Sequence, residues 1–392
     1  MMTARPPRTA MPLSRGDGPC RTAMPLPYPQ DIRAQILPIR QNPGMRIVIL
    51  SGGESAERDV SLASGRSVAR ALLERGHEVV LVDPAAAKPV LAGPLRPGDA
   101  VDAVAVGKEP PSLSDQQRLR ERMHAALTGG PVLDLLRDAE LVFLALHGGW
   151  GEDGHVQALL EMAGVRFTGA GSAVCAAAWH KGRAQAVLGA AGVPVVDRVL
   201  WRPGTSGDAV PQDVRRLVEA GPVVAKPVAD GSSVSVHRVD SLSQLDQVAA
   251  EVRAGGTELL VEPFLPGREF TVGVVGGQAL PVIEIELTTP VFDYTAKYQP
   301  EAVNEVCPAQ IPADFTSRLQ HLAVRAHRAL GFGDDTYSRA DFRNDAAGTP
   351  MCLEVNALPG LTATSLLPKA AAGTGWDYPE LVQRIVDLAV RS

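Results

Sequence analysis

Three polar residues in the C-terminal part of the chain have the types and spacing of a magnesium site. Glu354 and Asn356 lie two positions apart in an apolar segment, so in a strand they point to the same side. Asp341 lies on the preceding strand of the hairpin predicted from residues 337–342 and 351–355, and it can lie across from them. Two carboxylates and an amide oxygen suit Mg²⁺ together with phosphate oxygens and water. The alternative is a solvated hairpin face, because glutamate and asparagine are common on exposed strands.

A lysine at the end of a predicted strand is a candidate for phosphate binding. Lys226 closes an apolar segment and precedes the Gly-Ser-Ser turn at 231–233, where backbone N–H groups add donors. A lysine that extends its ammonium group into solvent is an equally good interpretation. Lys181 and Lys297 are no stronger by themselves. Glu262 closes another apolar strand and could accept a hydrogen bond from a ligand hydroxyl or amine.

A histidine and two acids follow a further apolar segment. His147 comes directly after residues 141–146, and Gly151-Glu-Asp-Gly154 follows it. The histidine is either functional or simply hydrogen-bonded at a strand end, and the two interpretations are about equal. Glu152 and Asp153 could serve as general acid and base. Adjacent residues in a turn point apart, however, which favours turn and helix-cap roles.

The elements that must position these residues begin with a strand–helix–strand unit. Residues 46–50 and 78–82 are short apolar strands around a helix at 61–75, which Gly76 caps. This order predicts a parallel sheet with a right-handed crossover. Residues 84–112, rich in proline and glycine, predict a surface excursion. Further helices are predicted at 116–127, 155–162, 172–191, 315–330 and 376–390, and a second hairpin at 270–275 and 279–286. The whole pattern predicts a doubly wound α/β domain followed by α+β domains.

Composition and missing motifs exclude several classes of protein. The 392 residues carry a formal charge of −6, which argues against nucleic acid or an anionic membrane as the main partner. The dinucleotide and phosphate-loop glycine patterns, the nucleophile elbow and the zinc-protease motif are missing, and the four cysteines form no C-x-x-C pair. Residues 1–44 are proline-rich and contain a repeated six-residue segment. They predict a disordered extension, with Met45 as an alternative start of the protein.

Taken together, ordered segments of the chain resemble the ATP-grasp ligases, and within them the D-alanine–D-alanine ligase family. The first matching segments are Gly52-Gly-Glu-Ser-Ala-Glu-Arg-Asp-Val-Ser61, His147-Gly-Gly-Trp-Gly-Glu-Asp-Gly154, Phe167-Thr-Gly-Ala-Gly171 and Lys226-Pro-Val-Ala-Asp-Gly-Ser-Ser-Val234. The later ones are Gly267-Arg-Glu-Phe-Thr-Val272, Phe292-Asp-Tyr-Thr-Ala-Lys-Tyr298, Cys307-Pro308, Arg339-Ala-Asp341, Leu353-Glu-Val-Asn356, Pro359-Gly360 and Ser365-Leu-Leu-Pro368. They occur in family order over residues 45–390.

The resemblance implies a role for each matched position. The residues implied to bind ATP are Lys181, Lys226, Glu262, Glu269 and, at the γ-phosphate, Lys297. Those implied to hold two Mg²⁺ ions, with Mn²⁺ as an alternative, are Asp341, Glu354 and Asn356. Those implied to bind substrate are Glu57 and His147 for the first D-alanine and Ser365 and Leu366 for the second. The implied catalytic residues are the hydrogen-bonded triad Glu57, Ser232 and Tyr298, and the oxyanion donors Arg339 and Gly360.

The resemblance also implies the architecture and the setting. An ATP-grasp fold is expected, with an N-terminal Rossmann-like parallel-sheet domain at 45–169 and two α+β domains, 170–262 and 263–392, that clamp ATP. The implied protein is a cytoplasmic homodimer whose partners are D-alanine and ATP, with no nucleic-acid or membrane partner. The implied activity is D-alanyl-D-alanine synthesis for peptidoglycan.

Departures from the family motifs keep two alternatives open. Trp179-His-Lys181, Ser235, Ala357-Leu358 and Thr364 stand where the family commonly has Met-Asp-Lys, Gly, Thr-Ser and His. These changes leave the proposed ligands intact but bear on the choice of second substrate. One alternative is therefore a ligase that uses a different amino acid, and the other is a non-catalytic binding protein on a decayed ligase fold.

Overall fold

The computed structural model describes residues 44–104, 106–107, 110–202, 210–229, 236–255, 258–287 and 303–391. These described residues belong to one compact unit. Residues 1–43 of the extension predicted at 1–44 lie outside them, as do the candidates Ser232, Lys297 and Tyr298. Among the described residues, no helix is both long enough and apolar enough to cross a membrane.

The first sheet confirms the predicted parallel unit. Strands β1 (Arg46–Leu50), β2 (Glu78–Val82) and β4 (Leu141–Leu144) are parallel, and helix α1 (Arg58–Glu74) connects the first two. Gly76, with φ +89°, ends α1: its N–H bonds to the Leu73 carbonyl while that of His77 bonds to Leu72, so glycine is required by the left-handed backbone.

The excursion after β2 contains more structure than its composition predicts. Strand β3 (Val90–Leu95) pairs antiparallel with β2, which makes the sheet mixed, in the order β3-β2-β1-β4. Helices α2 (Leu113–Thr128) and α3 (Pro131–Arg137) follow. Met123 and Leu127 of α2 are buried in the same core as β1 and β4, so α2 is packed along one side.

The middle of the chain forms a second, antiparallel sheet. Its strands, in the order β5-β8-β6-β7, are β5 (Val199–Trp201), β6 (Val223–Pro227), β7 (His237–Val239) and β8 (Leu259–Pro263). Helices α7 (Gln212–Ala220) and α8 (Leu242–Gly255) belong to this region. Helix α4 (His155–Met162), before it, has its predicted bounds.

The single helix predicted at 172–191 is wrong, because the chain breaks at His180. The break separates α5 (Ser172–Trp179) from α6 (Lys181–Ala190). His180 is extended (φ −84°, ψ 93°), and its ring nitrogen caps α6 by accepting from the Arg183 N–H. The Lys181 N–H bonds to the Val228 carbonyl at 2.8 Å, so the end of β6 fixes the start of α6.

A third sheet carries the predicted C-terminal hairpin. It is ordered β12-β11-β9-β13-β14, with β10 paired to β9, and its strands are β9 (Glu269–Val275), β10 (Gln278–Ala279), β11 (Ile283–Leu287), β12 (Val303–Val306), β13 (Tyr337–Asn344) and β14 (Pro350–Asn356). The hairpin β13–β14 is confirmed. The other predicted hairpin forms around Gly276-Gly277, but its second strand divides into β10 and β11.

Three helices complete the C-terminal region: α9 (Ala313–Ala329), α10 (Leu366–Ala372) and α11 (Tyr378–Arg391). Helix α11 packs on α1, and its apolar side chains join the core of the first sheet. A buried chain of hydrogen bonds strengthens this contact: the His77 ring meets Gln383 at 2.8 Å, and Gln383 donates to Asp387 at 2.9 Å. The C-terminal helix is thereby fixed to the N-terminal sheet.

Candidate active site

The hairpin β13–β14 brings the predicted metal ligands together. Asp341 and Glu354 are direct cross-strand partners, and Arg339 is opposite Asn356, so all four belong to one pleated surface. Asp341 accepts a hydrogen bond from the Thr271 hydroxyl at 2.6 Å. It also accepts two from the Arg339 guanidinium, from Nε at 2.9 Å and from Nη2 at 2.7 Å. This bidentate pair fixes the carboxylate in one orientation.

The donor set of the hairpin fits Mg²⁺. Among the described residues, no three His, Cys, Asp or Glu side chains form a group that could hold a metal. The hairpin instead offers two carboxylates and the Asn356 amide, whose oxygen also accepts from the Leu358 N–H at 3.1 Å. Mg²⁺ typically takes one or two carboxylates and completes its shell with water and substrate phosphates. The residues therefore fit a phosphate-bound Mg²⁺ better than a metal held by protein alone.

The two predicted strand-end residues Lys226 and Glu262 form a buried ion pair. The Lys226 ammonium lies 2.5 Å from Glu262, and only 8% of Lys226 is exposed. Burial opposes the charge on Lys226, but the charge and hydrogen bond of Glu262 outweigh it and raise the pKa of Lys226. The interpretation of Lys226 as a surface lysine is wrong, because its head group points inward. Lys181, at the start of α6, lies 3.4 Å from Glu354 of the hairpin.

Glu269 is a buried carboxyl whose pKa is raised, so it ionises less readily than an exposed glutamate. Burial raises the pKa of Glu269 to about 7; Arg343 lowers it, while Asp341 and Glu354 raise it. The Arg343 guanidinium lies 3.4 Å from Glu269 and 5.0 Å from the ring centre of Phe264. A carboxyl with a pKa this close to neutrality is typical of a functional site.

The two glycine-rich loops at the carboxyl ends of β1 and β4 lie against each other. The Ser55 hydroxyl accepts from the Glu57 N–H at 3.1 Å and donates to the His147 carbonyl at 2.5 Å. Gly148 has φ +65°, and a Cβ there would lie 3.1 Å from a carboxylate oxygen of Glu57. Glycine therefore lets the backbone approach the buried Glu57 side chain.

The His147 ring is hydrogen-bonded on both sides. Nδ1 lies 3.1 Å from the Leu358 carbonyl, and Nε2 lies 3.0 Å from the Ser64 hydroxyl. A carbonyl only accepts, so Nδ1–H donates to Leu358 and Nε2 accepts from Ser64. Of the two sequence interpretations, the structure favours the hydrogen-bonded histidine, which ties the loop after β4 to the segment before Gly360.

Glu152 and Asp153, which follow His147, have the turn and helix-cap roles that their sequence favours. Glu152 accepts from the Gly148 N–H at 3.0 Å, and Asp153 accepts from the His155 N–H at 3.0 Å where α4 begins. Both carboxylates satisfy backbone donors in the loop and at the helix start, so the general acid–base interpretation is not supported.

The predicted second-substrate segment forms a compact turn before α10. A Cβ at Gly360 would lie 2.9 Å from the Ser365 hydroxyl. That hydroxyl accepts from the Thr362 N–H at 3.1 Å and meets the Thr362 hydroxyl at 2.7 Å. Ser365 is the N-cap of α10 and Leu366 its first residue. The segment runs directly on from the hairpin, so the candidate metal and substrate residues are neighbours along the chain.

Sequence reasoning missed two residues that contact Glu262 and Glu269, the acids that the resemblance implies bind ATP. Gln185 is fully buried, and its amide donates to Glu262 at 3.2 Å and to the Leu353 carbonyl at 3.1 Å. Arg343 pairs with Glu269. Spacing could have indicated both: Gln185 is one helical turn after Lys181 on α6, and Arg343 is two residues after Asp341 on β13.

Comparison with known proteins agrees with this geometry. Residues 46–170 match the family described as "D-ala D-ala ligase N-terminus", and residues 187–387 match "D-ala D-ala ligase C-terminus". A "D-alanine--D-alanine ligase" of Anaeromyxobacter sp. is 39% identical over 344 residues, which is 88% of this chain and 96% of the relative.

Two solved structures show the same fold. The D-alanine–D-alanine ligase of Bacillus anthracis, complexed with ATP, has a TM-score of 0.67 at 25% identity and covers 89% of this chain and 98% of its own. The VanG D-Ala:D-Ser ligase of Enterococcus faecalis has a TM-score of 0.65 at 25% identity, with 88% and 99% covered. The fold and site therefore define an ATP-dependent ligase of the ATP-grasp class. Within that class, the chain belongs to the D-alanine–D-alanine ligase family.

Proposed function

We propose that this chain joins two D-alanines into D-alanyl-D-alanine at the expense of ATP, for peptidoglycan precursor synthesis. The reaction passes through a D-alanyl phosphate and releases ADP and phosphate. The observation that carries the proposal is the face of the β13–β14 hairpin, where Asp341 and Glu354 are cross-strand partners beside Arg339 and Lys181. This is a set of charges suited to phosphoryl transfer, in which positioning and charge stabilisation supply most of the catalysis.

ATP binds, in this proposal, between the second and third sheets. Lys226 and Lys181 serve the phosphates, and Glu262 and Glu269 accept hydrogen bonds from the nucleoside. Asp341, Glu354 and Asn356 would hold two Mg²⁺, or Mn²⁺ in their place. These ions supply charge neutralisation on the phosphates. Lys297, which lies outside the described residues, is assigned to the γ-phosphate by sequence resemblance.

The first D-alanine binds at the two glycine-rich loops. Glu57 holds its ammonium group, and the loop that begins at His147 lies beside its carboxylate. The carboxylate oxygen attacks the γ-phosphorus, the bond to the β-phosphate oxygen breaks, and ADP leaves. Ser232 and Tyr298, both outside the described residues, complete the proposed triad with Glu57. They would help to keep water from the acyl phosphate, which hydrolyses readily.

The second D-alanine binds at the start of α10, where Ser365 and Leu366 receive its carboxylate. Its free amine attacks the acyl carbon, phosphate leaves with the electron pair of the acyl–oxygen bond, and the proton that the nitrogen loses leaves with the phosphate. The negative charge that develops on the carbonyl oxygen needs fixed donors. The Arg339 guanidinium, locked by Asp341, and the Gly360 N–H supply them.

We also propose the domain limits and the setting of the enzyme. The limits are 45–169, 170–262 and 263–392, supported by the separate sheet that each range contains. We propose a cytoplasmic homodimer, because ATP and D-alanine are substrates of that compartment and the family resemblance implies a dimer. The net charge of −6 supports the absence of a nucleic-acid partner, and we propose no membrane partner.

The decisive experiment gives the purified protein D-alanine, ATP and Mg²⁺ and measures phosphate release and dipeptide together. We expect one dipeptide for each phosphate. The Asp341→Asn variant serves as the control, because it removes the negative charge of one proposed ligand without changing the side-chain shape. ATP turnover with no dipeptide would refute the proposed substrates, and no ATP turnover at all would support a decayed ligase fold.

A second candidate function keeps the first D-alanine and changes the second substrate. The observation that favours it is a group of hydroxyls before α10: Thr362 lies 3.3 Å from the Thr364 hydroxyl and 2.7 Å from that of Ser365. Such a group can bind a polar second substrate. Competition among D-alanine, D-serine, D-lactate and L-amino acids, read from the mass of the product, decides between the two.

A further inference from the structure

Helix α2, in the excursion between β3 and β4, contacts the loop that follows His147. The Trp150 ring of this loop stacks on His155 with ring centres 5.6 Å apart and an angle of 24°. On the α2 side, the His124 ring centre is 6.2 Å away and the Arg120 guanidinium carbon is 5.8 Å from the Trp150 ring centre. Trp150 is therefore held between α4 and α2.

A buried carboxylate holds the backbone of the same tryptophan. Glu54, only 1% exposed, accepts from the Trp150 N–H at 2.8 Å, and Arg120 lies 3.9 Å from the same oxygen. A Cβ at Gly149 would lie 2.4 Å from that oxygen, so the loop approaches as closely as a glycine allows. A buried carboxylate needs such partners, because its charge is costly without them.

The carboxylate of Glu54 is connected to the proposed site of the first D-alanine. Glu54 precedes Ser55, whose hydroxyl bonds to both the Glu57 N–H and the His147 carbonyl. The peptide fixed by Glu54 joins Gly149 to Trp150, one residue from Gly148, whose backbone faces the Glu57 carboxylate. A shift of the Trp150 backbone would therefore change the space around Glu57.

We propose that Glu54, Arg120 and Trp150 form a clasp that positions the first amino-acid site, and that α2 supports substrate binding through it. None of the three is a catalytic residue; each is a positioning residue that acts through Gly148 and Glu57. The inference rests on the proposed function, because it takes the pocket at Glu57 as the site of the first D-alanine.

The test compares four variants of the full-length enzyme. Glu54→Ala removes the acceptor of the Trp150 N–H, and Glu54→Gln keeps an acceptor there but removes the charge. Arg120→Met removes the cation, and Arg118→Met is the matched control, because Arg118 lies on the same helix and pairs with exposed Asp115. The rate of dipeptide formation against D-alanine concentration gives a Michaelis constant for each D-alanine, and a separate series gives that for ATP.

We expect Glu54→Ala to raise the Michaelis constant for the first D-alanine by about tenfold or more, as the loss of a charged hydrogen bond predicts. Glu54→Gln should restore most of this loss, Arg120→Met should produce a smaller increase, and Arg118→Met should match wild type. The constant for ATP should stay unchanged in all four. A purely structural role would lower the amount of active enzyme and hence kcat, with unchanged Michaelis constants, and that result would overturn the proposal.

A fifth variant separates failure of the clasp from failure of the proposed function. Glu57→Gln should raise the constant for the first D-alanine at least as much as Glu54→Ala. If it does so while the Glu54 and Arg120 variants bind D-alanine normally, the clasp is wrong and the substrate site stands. If Glu57→Gln also binds D-alanine normally, the assignment of the substrate site is wrong. If Glu54→Ala does not fold, Glu54→Gln and Arg120→Met still decide.

Discussion

The negative charge of buried Glu269 is expected to lower the free energy of unfolding of the protein. Its pKa is raised from 4.5 to about 7, chiefly by burial. Below about pH 4.5 the carboxyl is protonated in both the folded and the unfolded chain, so it has no effect on stability. Between pH 4.5 and 7 the unfolded chain releases the proton first, so stability falls as the pH rises. Above pH 7 the full cost is present, and the difference between the two pKa values corresponds to about 3 kcal/mol.

Glutamine at position 269 has the same shape and no charge, so it should remove this cost. At about pH 8 we expect the free energy of unfolding of Glu269→Gln to exceed that of wild type by about 3 kcal/mol, so the variant unfolds at a higher urea concentration. At about pH 4 the two free energies should be equal. The measurement is a set of urea unfolding curves across this pH range, without nucleotide or metal ions. Glu219→Gln, on the exposed face of α7, is the control and should show no such trend.

Two results would refute this reasoning. A stability difference that is the same at every pH would show that Glu269 does not titrate as the burial and the charges around it require. A variant less stable than wild type at about pH 8 would show that the Arg343 pair outweighs the cost of burial. The variant should also bind ATP more weakly, since stability and function are often opposed at binding sites.

Three further variants test other parts of the site and the fold. Asp341→Asn should lower dipeptide formation at least about a hundredfold, measured by coupled phosphate release, because it removes charge where the phosphates are to be stabilised. Arg343→Met should raise the Michaelis constant for ATP about tenfold and leave those for D-alanine unchanged, because Glu269 loses its cation. Asp83→Ala should lower the free energy of unfolding by about 3 kcal/mol in urea, because it leaves Arg58 without its carboxylate partner and the Gly53 N–H without an acceptor.

The parts of the fold that could be predicted are those whose pattern is local. The alternation of side chains puts Glu354 and Asn356 on one face of β14, and the hairpin allows Asp341 to lie across from them, as it does. The short apolar segments at 46–50 and 78–82 are the parallel strands β1 and β2. In both cases the relevant period is that of a single element. The connectivity then leaves few arrangements open, and the observed one is among them.

The parts that could not be predicted depend on contacts between distant segments. No proline marks the break at His180, and the nearby Gly182 lies inside α6; the break is stabilised by the bond from Lys181 to Val228, 47 positions later. The inward direction of Lys226 is set by Glu262 on a different strand. The contact of α2 with Trp150 likewise joins residues from two separate elements. Such pairings carry no local signal, because each partner alone is compatible with a surface position.

The charged residues of the candidate site also account for how the site can fold before substrates arrive. In buried positions Lys226 pairs with Glu262 and Arg339 with Asp341, and Lys181 pairs with the partly exposed Glu354. Buried ions of one sign would be strongly unfavourable, whereas pairs satisfy one another at a modest net cost. Each pair joins a cation suited to a phosphate or an oxyanion with an acid suited to a metal ion or a ligand donor. The same pairing thus keeps both sets of groups in place, so that under the proposed function substrates would exchange partners with these pairs and would not have to assemble the site.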